Sequence, residues 1–296
     1  MKRLVILAIL AAFAFGFAST ASAVELGVSG AWAIEASWMD NFDLRDDNAA
    51  TPEDEFNVFM RARTQFEFIA NENLRAVLQT EYGTATWGKS PMAIGDAYSN
   101  AASRIGVRQA YVDFNWPDTD VNIKAGMQSI YLPTAVGSGS MIMGEEVASV
   151  AISTPVTDYL SVLGGWARAA QNRSTSNANT QLAAGSNYAD AWFLVAPIAL
   201  DGFNITPFFM YTDVGQGAMN AGNVAATAAQ FPGLLSLNAT SNTGDALSVW
   251  HGGVAFTMDY FDPFVFKADI EYGSASGGPG QNDRSGWMGA LALEYT

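Results

Sequence analysis

From Val24 onward the chain alternates apolar and polar residues with period two, segment after segment. That spacing puts one face of a strand against apolar surroundings and the other against water, and it does not fit a helix. In the first segment Val24, Leu26, Val28, Trp32, Ile34 and Trp38 share one face, and Glu25, Ser29, Glu35 and Ser37 share the other. In the second, Phe56, Val58, Met60, Phe66 and Phe68 alternate with Asn57, Arg61, Arg63, Gln65 and Glu67. In the third, Leu74, Ala76, Leu78 and Tyr82 oppose Arg75, Gln79 and Glu81. The pattern continues through 104–116, 121–128, 147–155, 158–170, 187–199, 203–211, 245–259, 264–272 and 287–295, and predicts twelve antiparallel strands.

The connections alternate too. Short turns fall near 71–73, 117–120, 155–158, 200–202 and 260–263. Long polar or glycine-rich stretches fall near 43–54, 83–103, 131–146, 171–187, 214–244 and 274–284. Hairpins that are short at one end and long at the other are the layout of an outer-membrane β-barrel. A soluble β-sandwich also alternates. Two features favour the transmembrane β-barrel. Aromatics sit at strand ends and beside turns (Trp38, Phe68, Tyr82, Trp116, Trp166, Tyr211, Tyr260, Phe261, Tyr272 and Trp287), as interfacial girdles do. Ionised side chains recur in mid-strand on the polar face, as a wet lumen requires.

Residues 1–23 read as a secretory signal peptide, with Lys2 and Arg3 ahead of an uncharged run from Leu4 to Phe17 and Ala21-Ser22-Ala23 before the expected cut. The run falls short of the roughly 20 residues that span a bilayer as a helix. The expected organisation is therefore a leader at 1–23 and a barrel domain at 24–296. Cleavage removes two basic residues, taking the net charge from −15 to −17.

Composition excludes other chemistry. With no Cys and a single His, the chain has no thiolate or multi-histidine metal site and no disulfide, and no cofactor or metal is expected. The acid excess argues against nucleic acid as a partner, since phosphate binding needs clustered Lys and Arg. A Ser-His-Asp centre would have His251 as its one base, but Ser248 lies at an odd offset, on the other face of the strand. A lone His there reads as structural or lumenal, and the chain is not expected to be an enzyme. The first long connection carries Asp40, Asp43, Asp46, Asp47, Glu53, Asp54 and Glu55; without the spacing of a calcium loop it reads as a solvated acidic loop.

The stretch Val107-Arg-Gln-Ala-Tyr-Val-Asp-Phe114, followed by Val121-Asn-Ile-Lys-Ala-Gly-Met-Gln128, resembles two consecutive strands of the Gram-negative general porins. Met127 stands where that family usually has Arg, and Asp113 where it often has Gly. The resemblance implies a homotrimeric outer-membrane porin that passes ions and small hydrophilic solutes. It also implies sixteen strands per barrel, whereas 273 residues allow about 23 for each of twelve strands and about 17 for each of sixteen. The expectation is part of a sixteen-stranded barrel lacking its C-terminal strands, with a complete twelve-stranded barrel of enzymatic or structural role as the alternative.

In that family the third long loop folds into the lumen and faces basic residues on the wall. Here the third connection, about Tyr131 to Glu146, ends in Glu145-Glu146; the facing wall would carry Arg61, Arg63, Arg75 and Lys124, all on the polar face. Opposed rows of unlike charge would set up a transverse field favouring polar solutes. The plainer reading has Arg61 and Arg63 pairing with Glu67 and Glu81 for stability. The overall acid excess points to a mild preference for cations.

Overall fold

The computed structural model describes residues 24–39, 55–87, 105–137, 139–140, 142–171, 188–215, 247–277 and 283–295. The leader 1–23, Arg104 and the acidic positions from Asp40 to Asp54 lie outside these residues.

The described residues form one antiparallel sheet of thirteen strands. They are β1 Glu25–Met39, β2 Glu55–Asn71, β3 Leu74–Thr86, β4 Ile105–Asn115, β5 Asn122–Tyr131, β6 Gly144–Thr157, β7 Leu160–Gln171, β8 Tyr188–Val195, β9 Ile198–Leu200, β10 Phe203–Val214, β11 Leu247–Phe261, β12 Phe264–Gly277 and β13 Arg284–Tyr295. All twelve expected strands are present. The extra element arises because the eighth is interrupted at Ala196-Pro197, where proline has no N–H to give the ladder. β8 and β9 both pair β10, and the Ala196 N–H bonds the Pro207 carbonyl across the break at 3.0 Å. Consecutive strands otherwise pair in chain order, and among the described residues β1 and β13 each have one paired neighbour.

The sheet is strongly curled. The connection after β5 bonds the side chain of Asp269 on β12, through Thr134, Ala135 and Val136. Six steps of the sheet order separate β5 from β12. In a flat sheet that is about 29 Å at ~4.8 Å per step. Thr134 is only three residues past the end of β5, a reach of about 10 Å. The wall therefore bends round the loop, and the face that carries Asp269 is the inner one.

The outer face is apolar and exposed, with Leu291, Ile270 and Trp32 among its side chains. Aromatics bound it at both ends. Trp287 and Tyr295, Tyr272 and Phe264, and Tyr211 and Phe203 are pairs eight positions apart on single strands. Eight positions are about 27 Å of strand. A tilt of about 40° brings that to about 21 Å, close to the ~25 Å apolar band of a membrane barrel.

One hairpin leaves the wall. β5 and β6 stay paired to Tyr131 and Gly144, and the Leu132 N–H continues the ladder to the Met143 carbonyl at 3.0 Å. On either side the wall ladders stop sooner, at Ala110–Met127 toward β4 and at Ala148–Arg168 toward β7. The tip of the hairpin thus turns inward. Gly126 sits just before the departure with φ 134°, and a Cβ there would lie 2.3 Å from the Ala110 carbonyl oxygen. Only glycine fits this bend.

The hairpin tip packs on an apolar half of the inner face. Leu132, Ile142 and Met143 bury against Phe193, Phe208, Met210, Val214, Leu247 and Val249. Aromatic rings on this half lie across glycines of the next strand: a Cβ on Gly253 would meet the Phe208 ring at 2.6 Å, and one on Gly165 the Phe193 ring at 2.5 Å. The missing side chains make the slots that hold these rings flat to the wall.

Candidate functional site

The other half of the inner face, on β2 to β6, carries the charged and amide side chains. Nearest the loop end, Arg63 and Glu81 are directly opposed in the β2–β3 ladder, with Nε donating to Oε2 at 2.6 Å. The same Glu81 oxygen takes the Arg108 guanidinium at 3.4 Å, and Arg108 also bonds Glu146. The alternation along β4 does not give Arg108 a face of its own. The structure resolves this with a bulge: Gln79 pairs Gln109 and Thr80 pairs Val107, so Arg108 is the extra residue and turns toward Glu81.

Nearest the short turns, Arg75 donates to Asp113 at 2.8 Å and lies 3.4 Å from Glu67. Lys124 stands 3.8 Å from the same Asp113 oxygen and 5.9 Å above the Tyr111 ring. Asn122 donates to Asp113 at 2.6 Å and to Asn115 at 2.7 Å. Between these two groups run amides and hydroxyls: Gln79 to Gln65 at 3.1 Å, Gln65 to Glu67 at 2.7 Å and Gln109 to Ser129 at 2.6 Å.

Two opposed rows of charge were expected, and the arrangement differs. Arg63, Arg75 and Lys124 are paired on their own wall, because Glu81 and Asp113 are their cross-strand neighbours, about 5 Å away, and Glu67 lies diagonally from Arg75. Glu146 stands at the root of the inserted hairpin rather than at its tip, and meets Arg108. Arg61 is exposed at a register shift between Met60 and Ala62 and makes no ion pair with another described residue. Glu145 pairs Ile130 through the β5–β6 ladder, and its side chain lies outside the described residues. The plainer reading holds for Arg63, which does meet Glu81. Each pair is part-exposed, so it contributes only ~0.2–1 kcal/mol of stability. The larger effect is electrostatic: plus and minus alternate along one wall and cancel locally.

The acid that organises the site is Asp269. Its two oxygens accept the Ala135 N–H at 2.7 Å, the Val136 N–H at 2.8 Å and the Thr134 hydroxyl at 2.8 Å. The side chain is buried, and three donors from the loop replace the water it loses. Its place on the polar face of a strand marks it as inward. Its partner is invisible in the sequence, because 133 residues separate Asp269 from Val136.

His251 faces inward with its ring over Gly273, and its buried Nδ1 has no partner among the described residues. Ser248 is on the outer face, 3.1 Å from the Tyr211 hydroxyl. Base and hydroxyl therefore do not converge. No group of three or more His, Cys, Asp or Glu side chains suited to a metal occurs among the described residues. On the outer face, beyond Trp166 and Trp192, Arg168 meets Asp190 in two parallel bonds of 2.7 Å.

No family model matches the chain, and no curated protein matches it in sequence. Among solved structures it is similar to OmpT, an outer membrane protein of Vibrio cholerae, at 11% identity and a TM-score of 0.43, over 94% of this chain and 84% of that one. It is similar to the outer membrane channel DcaP of Acinetobacter baumannii at 12% identity and a TM-score of 0.30, over 87% of this chain and 79% of that one. To a porin the values are 13% and 0.33, over 92% of this chain and 96% of that one. These overlaps are loose. The class, an all-β antiparallel sheet curled round an internal loop, is defined by the chain's own ladders.

Proposed function

We propose that the protein is an outer-membrane channel of the porin type. It would pass ions and small hydrophilic solutes by diffusion, without catalysis and without a cofactor. The observation that carries this reading is the contrast between the two faces of one curled sheet. Outside are exposed apolar side chains bounded by two aromatic girdles. Inside are a charged and amide-lined wall and a loop tied across to Asp269. An apolar exterior with a polar interior suits lipid outside and water within. The inserted loop narrows the passage to the side of β2 to β6, where a solute meets alternating charges rather than apolar rings. In lipid the free edges of β1 and β13 must be paired, either with each other or with further strands. Assembly as a homotrimer in the outer membrane, after export with removal of residues 1–23, belongs to the same reading.

The test is conductance of the purified protein in planar bilayers. Stepwise, ohmic openings are expected, and a silent bilayer at high protein load counts against the channel. His251→Ala is expected to leave conductance intact. Hydrolysis of a lipid or peptide substrate that disappears in this variant would point to an enzyme instead.

A further inference from the structure

We propose that the turn-end mouth of the passage binds an uncharged, polyhydroxylated solute, a sugar by chemical class; the proposal rests on the channel reading and names what that channel takes. A cleft of about 470 Å³ opens there, beside the β2–β3 turn. Its lining includes two cations, Arg75 and Lys124, and two carboxylates, Asp113 and Glu72, so no net charge draws an ion in. Three of these four are engaged with one another through Asp113.

The rest of the polar lining is carboxamide: Asn71, Asn73, Asn115 and Asn122. An amide offers two N–H donors and an acceptor oxygen, and a hydroxyl is both donor and acceptor, so the two match without charge. Asn122 uses its N–H groups on Asp113 and Asn115, and Asn71 uses its oxygen on the Asn73 N–H. The Asn73 side chain makes no hydrogen bond with another described residue, and neither do the side-chain NH2 groups of Asn71 and Asn115. They face the cleft with their bonding capacity open. Ile69 adds an apolar patch of the kind that receives the C–H face of a sugar ring. The amides Gln65, Gln79 and Gln109 continue the same chemistry along the wall toward the loop end.

The experiment uses the full chain purified in detergent, titrated calorimetrically with a linear glucose trisaccharide and, separately, with citrate. Conductance is measured in parallel. The trisaccharide is expected to bind and to reduce ion current, and citrate to do neither. Losing two hydrogen bonds in Asn73→Ala plus Asn115→Ala weakens sugar binding about fivefold or more. Asn73→Gln, which keeps an amide, retains most of the binding. Citrate binding as tightly as the sugar, no sugar binding at tens of millimolar, or binding untouched by the double variant would each overturn the site. A silent bilayer with sugar binding intact would remove the channel and leave the site standing. Conductance without sugar binding would do the reverse.

Discussion

The carboxylate of Asp269 on β12 accepts the backbone N–H of Val136 at 2.8 Å, joining the connection after β5 to the far side of the curled sheet. With the bonds from Ala135 and Thr134 it is the point where the inserted loop is held. A hydrogen bond to a charged group is worth roughly 1.5–3 kcal/mol. Removing the carboxylate in Asp269→Ala is expected to release the loop and to give larger, noisier single-channel steps. Asp269→Asn keeps one acceptor oxygen and should fall between that variant and the parent. Unchanged step size and noise in the alanine variant would show that the loop does not border the passage.

Glu81 is shared by Arg63 and Arg108. Glu81→Gln leaves both guanidinium groups without that carboxylate, and Glu146→Lys replaces the second partner of Arg108 with a like charge. Both variants are expected to move the reversal potential in a salt gradient toward anions, with the lysine variant moving further. The parent should show a mild cation preference, from the acid excess of the chain.

The slot between Phe208 and Gly253 is closed to a side chain, since a Cβ would lie 2.6 Å from the ring and 2.8 Å from the Ile270 carbonyl oxygen. Gly253→Val is expected to cost about 1–3 kcal/mol by overpacking, read as a lower urea midpoint or loss of the heat-sensitive gel mobility of the folded form. Gly139→Ala meets nothing within 4 Å and is the control that should leave both measurements unchanged.

Ile270 is exposed on the outer face between the girdle residues Tyr272 and Phe264. Arginine on a lipid-facing position costs about 2–4 kcal/mol at the midplane and less toward a girdle, and Ile270 lies between the two depths. Ile270→Arg should therefore fold poorly into vesicles, while Gln79→Arg, on the inner wall, folds normally. Equal folding of the two variants would mean that the outer face does not meet hydrocarbon.

Much of this architecture is local in origin, and so was legible in the residues. Alternation of period two, turn chemistry such as Asn71-Glu72-Asn73 and the aromatics at strand ends gave the strands, their faces and the alternation of short and long connections. Arg63, Arg75 and Lys124 lie on the polar face, because in a strand a side chain's face follows from parity alone. Parity fails where the backbone departs from the pleat. Parity gives Arg108 no polar face, and the bulge opposite Gln79 and Thr80 supplies it; Pro197 splits in two a strand that the alternation runs together.

The sequence by itself determined that this chain forms an antiparallel sheet with one apolar and one polar face, and which residues lie on each, since these depend on neighbours two positions apart. Only the tertiary structure decided which charges meet, where the third connection goes and which half of the inner wall it covers. Those depend on ladder register and on the curl of the sheet, which bring Asp269 to Val136 and Glu146 to Arg108. Such contacts span long stretches of chain and leave no periodic trace in it. The opposed rows of charge that the sequence suggested became alternating pairs on one wall for the same reason: composition supplies the ions, and register chooses their partners.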